Sequence, residues 1–350
     1  MDFTTGVRTL GQDIDEQLIF CTKNGCSDLF VKVGEPATIY QYGIIHNTLH
    51  PTDEIAWNNF ANKAITSEQN AKYVRDKMLD FSYEVNGFRY RVNCSFSQGQ
   101  KIATFRMISD KLPTFNSLKL DDNVVALLER AFSQKQGISM LVGATGSGKT
   151  STLAACINSF SAGFGSRKEL PLKDSHMITL EDPIEYIYPS TGSTLITQKE
   201  LGRDFMSFEL GIKSSLREHP THMLVGETRD KETIRALVEC SRTGHSCLTT
   251  FHTSSVSDTL ARIYSYLAGE NQDIMFDLIA NLNFILCQQL IKSRKGYKMR
   301  YQYMFFTEQV KKVLVEAIYR NKNIPNTVEN LMKNEQLLKA NLCSGWKQSI

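Results

Sequence analysis

The chain has 350 residues, 41% of them hydrophobic and 22% charged, which is more than one ordinary domain holds and enough to bury real cores. Its formal net charge is only +3, from 40 basic and 37 acidic side chains. No run of about five like charges occurs, so composition argues against a nucleic-acid partner. Eight cysteines are spread singly, with no Cys-x-x-Cys pair, which excludes a zinc site of the usual spacing and fits buried thiols in a reducing compartment.

The first residues, Met1-Asp2-Phe3-Thr4-Thr5-Gly6, carry neither the basic start nor the apolar stretch of a signal peptide. The most apolar long window, 274–291, contains Asp277, Asn281, Asn283, Gln288 and Gln289, and is too polar to cross a bilayer. A cytoplasmic protein is the expectation. Along the chain, residues 28–33 and 36–42 read as strands ending at Gly34 and Gly43, and 53–65 and 67–79 show helical spacing. Residues 88–96 alternate, with Phe88, Tyr90, Val92, Cys94 and Phe96 on one face and Arg89, Arg91, Asn93 and Ser95 on the other. Residues 101–108 are the expected hairpin partner across Gln98-Gly99-Gln100. Together these predict a small mixed α/β domain over residues 1–112.

An irregular stretch, 109–123, contains Pro113 and several Asp, Asn and Ser residues, and a linker is placed at 113–123. Beyond it, strands at 138–142, 177–180, 223–225 and 246–250 are interleaved with helices at 150–160 and 231–242. The second helix sets Ile234, Leu237 and Val238 on one face and stops at Gly244. Such alternation predicts an α/β fold, a mostly parallel, doubly wound sheet over 124–308. Residues 161–174, rich in Gly, Ser and Lys, read as an exposed loop. Residues 309–350 read as a helical extension, with a stripe of Val310, Val313, Leu314, Ala317 and Ile318 and a capping box from Asn326 and Glu329.

The chemistry centres on Gly143-Ala144-Thr145-Gly146-Ser147-Gly148-Lys149-Thr150, which fits G-x-x-x-x-G-K-[ST]. Glycines let the backbone wrap a phosphate and present successive N–H groups. Lys149 would neutralise the β and γ phosphates of ATP and Thr150 would ligate Mg²⁺. Ser151 follows at the start of a helix whose N-terminal end favours an anion. Acids gather after the next strands: Glu181, Asp182 and Glu185 after 177–180, and Glu227 after 223–225. In parallel sheets these carboxyl ends open onto the ligand crevice. The residues by themselves do not choose among Glu181, Asp182 and Glu185. His245 and His252 flank 246–250, and His252, which follows the strand, is placed to donate to a γ-phosphate as a neutral imidazole. His245 is kept as a second nucleotide-site candidate. Arg89, Arg91 and Arg106 are either solvated arginines or fingers stabilising transition-state charge.

These segments resemble the secretion and pilus ATPases of the PilT, PilB and GspE superfamily. Thr179 to Tyr186 is similar to its aspartate box, and Leu224 to Asp230 resembles its atypical Walker B segment, with Gly226 where most P-loop enzymes have Asp. Thr243-Gly244-His245 through Phe251-His252-Thr253 resembles its histidine box. Residues 27–43 and 89–93 resemble its N-terminal PAS-like domain. The resemblance implies a RecA-like ATPase domain in a homohexameric ring. It also implies Glu185 as the group that activates water, Glu227 serving Mg²⁺ and His252 sensing the γ-phosphate. Arg91 and Arg106 would reach an adjacent subunit's nucleotide. The absence of a four-cysteine element, the linker and the tail from Tyr303 to Asn334 are more similar to the DotB and TraJ ATPases of type IVB secretion and conjugative transfer. That implies inner-membrane secretion or transfer proteins as partners at the cytoplasmic face. A pilus retraction motor is the alternative, with an ATP-dependent assembly scaffold or a nucleic-acid translocase further off.

Overall fold

The structure, a computed structural model, describes residues 3–108, 111–162, 172–190, 193–267, 272–293, 296–320 and 322–348. The chain divides into two units. The first comprises Met1–Lys111 with Asp182–Ile187 and Gly202–Asp204, and the second Leu112–Glu181, Tyr188–Leu201 and Phe205–Ile350.

The first unit opens with α1 (Phe3–Thr9) and α2 (Ile14–Lys23), then β1 (Asp28–Lys32), β2 (Pro36–Gln41) and β3 (Ile44–Pro51). α3 (Glu54–Ala64), α4 (Ser67–Asp76), β4 (Leu79–Val85), β5 (Phe88–Ser97) and β6 (Gln100–Met107) complete it. The strands form an antiparallel sheet in the order β3-β2-β1-β6-β5-β4. β5 alternates as its sequence dictates: Tyr90, Val92 and Cys94 are buried in a core shared with Leu18, Trp57, Phe60 and Phe105. The turn to β6 is two residues, Gln98 and Gly99, both left-handed at φ 54° and 80°, the geometry that matches strand twist. Gln100 therefore belongs to β6. The helix expected over 67–79 is shorter. Thr66 and Gln69 form a capping box at its start, and Lys77 takes a left-handed C-cap at φ 59°, freeing Leu79 to begin β4.

In the second unit, α5 (Asp122–Phe132) precedes β7 (Gly137–Val142) and α6 (Lys149–Ala162). β8 (His176–Glu181), β9 (Leu195–Glu200), α7 (Phe208–Ser215) and a short 3₁₀ turn (Leu216–Glu218) follow, then β10 (His222–Val225), α8 (Lys231–Arg242) and β11 (Ser246–Phe251). The chain continues through α9 (Val256–Tyr266), α10 (Gln272–Asn281), β12 (Leu282–Ser293) and β13 (Gly296–Phe305). It closes with α11 (Glu308–Tyr319), α12 (Ile324–Met332), α13 (Glu335–Lys339) and β14 (Cys343–Gln348). The sheet runs β14-β13-β12-β7-β11-β10-β8-β9. Its six strands from β12 to β9 are parallel, while β13 and β14 add antiparallel pairs, so the sheet is mixed.

Three expectations are corrected here. The tail is not helical throughout: β14 joins the sheet, and Val310, Leu314, Val328 and Cys343 lie in the same core as Ile138 and Met223, because the stripe needs a partner to bury it. The last helices are capped by Asn323 and Asn334, not by Asn326 with Glu329. Of the loop expected over 161–174, residues 163–171 lie outside the described residues. Ser161 is the buried last turn of α6, its hydroxyl donating to Ile157 O at 2.6 Å. The linker 113–123 packs on α6, where Asn158 Nδ2 donates to Pro113 O at 3.2 Å and the Phe115 and Phe160 rings lie 5.4 Å apart. All eight cysteines are buried and free. Among the described residues no helix is long and apolar enough to cross a membrane.

Candidate functional site

Parallel pairing of β8, β10, β11, β7 and β12 sends their carboxyl ends to one edge of the sheet, so the segments that follow them converge there. The phosphate-binding loop leaves β7 and enters α6. Gly143 is required by close approach: a Cβ there would lie 2.4 Å from Gln288 O and 2.5 Å from Ser147 Oγ. Lys149, only 7% exposed, folds its ammonium onto the loop, donating to Gly143 O at 2.7 Å and Ala144 O at 3.0 Å. Burial pulls its pKa below the usual lysine value, and the Glu227 carboxylate pulls it back. Neutral carbonyls are a weak match for a desolvated ammonium, so a polyanion is the better partner. Ser147 Oγ is buried with no hydrogen-bond partner among the described residues. An ammonium, an orphaned hydroxyl and a loop too tight for a side chain at Gly143 fit a phosphate. Thr150 is exposed and Ser151 half-buried in the first turn of α6.

β10 ends at Val225 and is followed by Gly226, whose backbone N–H donates to Leu180 O at 2.7 Å. A Cβ here would lie 3.0 Å from that carbonyl oxygen and 3.3 Å from Glu181 Cα. The crowding between β8 and β10 disfavours a side chain at 226, and the carboxylate comes one residue later. Glu227 is 8% exposed. Its Oε2 lies 3.1 Å from His252 Nε2, and its Oε1 meets the Arg229 guanidinium. Each carboxylate oxygen retains a lone pair for a metal-bound water. The other His252 nitrogen, Nδ1, lies 3.4 Å from Thr145 Oγ1 in the loop. His252 thus bridges the loop and the buried acid, and Arg262 Nη1 fixes its backbone by donating to His252 O at 2.8 Å. Burial, with the nearby Lys149 charge, holds the imidazole below its ordinary pKa, so it is neutral at pH 7. Among the described residues no three His, Cys, Asp or Glu side chains gather to cage a metal.

The remaining candidates have other partners. Glu181 is buried and turned toward β9, its Oε1 accepting from Thr179 Oγ1 at 2.6 Å and Gln198 Nε2 at 3.0 Å. His245 corrects the expectation: it precedes β11, at the opposite end of a six-residue strand, about 20 Å from the loop. Its Nδ1 faces Cys240 O at 3.2 Å and Thr243 Oγ1 at 3.1 Å. Asp182, Glu185, Arg91 and Arg106 group with the first unit. There Arg91 and Arg106 are cross-strand neighbours on the polar face of β5 and β6. Arg91 Nη1 lies 3.6 Å from Glu185 Oε1, and Arg106 Nε donates to Asp28 Oδ1 at 3.0 Å.

Residues 6–339 match the model of the type II/IV secretion system protein family. The chain belongs to this family. It is 31% identical over 309 residues to the type IV pilus retraction ATPase PilT of Pseudomonas aeruginosa, covering 87% of this chain and 86% of that protein. The X-ray structure of the Legionella pneumophila ATPase DotB superposes with a TM-score of 0.81 at 26% identity, over 95% of this chain and 92% of that one. A crystal structure of the pilus retraction motor PilT with bound ADP gives a TM-score of 0.72 at 26% identity, over 92% and 93%. Sequence reasoning missed two groups at the carboxyl edge of this secretion-family member, Arg229 beside Glu227 and Gln288 beside the loop. The signal for the second was a glutamine inside an apolar strand.

Proposed function

We propose that the chain is an ATPase that powers a type IVB secretion or conjugative transfer apparatus as a homohexameric ring, using ATP and Mg²⁺. The observation that carries the hydrolytic part is the line of buried Lys149, buried Glu227 and half-buried His252 along the loop. It places a cation, an acid and a neutral imidazole where a phosphate-binding backbone begins. In this reading Gly143 to Ser151 hold the phosphates, while Thr150 and Glu227 hold Mg²⁺ and its waters. Mg²⁺ neutralises developing phosphate charge when bound. His252 donates a hydrogen bond, and Glu185 takes the proton of the attacking water. Arg91 and Arg106 serve the nucleotide of the adjacent subunit. The fit to DotB across nearly the whole chain supports the secretion assignment, with partners at the cytoplasmic face of the inner membrane. The level of identity to the P. aeruginosa PilT supports a second reading, a pilus retraction motor on the same ring.

Two variants test the ring. Arg91→Ala and Lys149→Ala are each expected to lose turnover by about 10³-fold. Rings mixed from the two contain interfaces with an intact loop on one side and an intact Arg91 on the other, and those are expected to recover activity. Full turnover by Arg91→Ala alone, or no recovery in demonstrably mixed rings, overturns the shared site. Deleting the gene and scoring conjugation, secretion and twitching separates the two biological readings.

A further inference from the structure

Gln288 belongs to none of the motifs above, yet it touches both arms of the phosphate-binding loop. It is fully buried, at 0% exposure, in β12 immediately after the last residue paired with β7, Cys287 opposite Val142. Its backbone oxygen is the atom that a Cβ on Gly143 would meet at 2.4 Å. Its side-chain Nε2 donates to Ser147 O at 2.7 Å and lies 3.4 Å from the Cβ position of Gly148.

The consequence follows from peptide geometry. In a planar trans peptide, C=O and N–H point in opposite directions. With Ser147 O drawn to Gln288, the Gly148 N–H is turned away from β12, the side on which the donors of a phosphate-binding loop have to lie. Gly148 sits at φ +85° and has no Cβ, so its own sterics leave both orientations of this peptide open. A donor on the Ser147 carbonyl selects one of them. Gln288 makes this bond while its own Oε1 stays buried with no hydrogen-bond partner among the described residues. Leaving a desolvated acceptor unsatisfied is costly, and an apolar side chain would fill the space without that penalty. The position therefore uses the amide donor, not only the volume.

We propose that Gln288 is a positioning residue for nucleotide binding, its amide locking the Ser147–Gly148 peptide so that the Gly148 N–H is a preset donor to a phosphate. This rests on the nucleotide-binding reading above.

The test uses the full chain and measures Kd for ADP and ATP by calorimetry, with thermal unfolding of the nucleotide-free protein alongside. Gln288→Met keeps length and apolar volume but removes the donor. Both nucleotides should bind roughly 10-fold more weakly, the size of one hydrogen bond. Wild-type affinity in Gln288→Met, whatever its unfolding temperature, overturns the proposal. Gln288→Glu answers the same question if the methionine variant fails to fold, because its carboxyl donates only when protonated. Its ADP affinity, relative to wild type, should rise as the pH falls from about 8 to about 6. A ratio that does not change with pH overturns the proposal. Wild-type protein that binds neither nucleotide overturns the nucleotide reading itself, a result distinct from wild-type binding that Gln288→Met leaves unchanged.

Discussion

The two edges of the mixed sheet make a comparison within one unit. At the amino edge, a cavity of about 590 Å³ is lined by Gln134, Lys173, His219, Thr221, His222 and His245. Its buried histidine is already satisfied: His222 Nε2 bonds to Phe132 O at 3.2 Å. His245 likewise faces the carbonyl of Cys240. At the carboxyl edge the loop hugs its own backbone, yet Lys149 and Glu227 are buried there together. Concavity and histidine content point to the first edge, and desolvated charge points to the second. Desolvated charge is the better guide, because a buried ammonium whose hydrogen bonds go only to neutral carbonyls, as those of Lys149 do, is costly unless a counter-charged ligand stabilises it.

The largest effect that sharpens this contrast is expected at the loop. Lys149→Ala should lower ATP turnover by about 10³-fold or more and leave the unfolding temperature nearly unchanged, since its ammonium contributes charge and not core volume. ATPase assays with thermal unfolding read both quantities, and wild-type turnover in a folded variant would remove the loop from the chemistry.

A smaller effect separates the two histidines. His252→Asn should reduce turnover by about 10²-fold, the scale of one lost transition-state donor, because the ring joins Thr145 to Glu227. His245→Asn should stay within about twofold of wild type. Equal losses in the two variants would break the distinction between the edges.

The smallest effect is one of pH. Burial depresses the pKa of His222, and burial with the Lys149 charge depresses that of His252. Folding therefore favours the neutral rings, and the unfolded chain binds more protons below its own histidine pKa of about 6.5. Stability from these groups is fully present above that pH and is lost as the pH falls through the folded values. Each contributes a slope of at most about 1.4 kcal/mol per pH unit. Denaturant unfolding between about pH 7 and about pH 5 should show His222→Gln with a shallower decline than wild type, and parallel curves would contradict the assignment.

Much of this was legible in the sequence. The loop, α8 over Lys231–Arg242 and the two faces of β5 follow from local patterns, since motif spacing and side-chain period act over a few residues. The acids and the second histidine were harder. Glu181, Glu227, His245 and His252 all sit at strand ends, and only the direction of each strand and its hydrogen bonds tell one edge from the other. Glu181 looks like a site residue in sequence and is held by Thr179 and Gln198 in the structure.

What the sequence determined by itself was the phosphate-binding backbone and the strands with a clear local pattern, such as β5, β7, β8, β10 and β11, but not β9, β12, β13 or β14. What only the tertiary structure decided was which strand stands beside that backbone. β12 pairs with β7 from more than 140 residues away, and parallel pairing across such a distance is set by mutual burial, not by any local period. The window that gave rise to it was too polar for a membrane because of residues such as Asn283 and Gln288. In the folded sheet Asn283 Nδ2 donates to Gln136 O at 2.6 Å before β7, and Gln288 donates to Ser147 O after it. Each amide serves a backbone carbonyl on the far side of the strand pairing, and neither carbonyl can be located until both strands are in place.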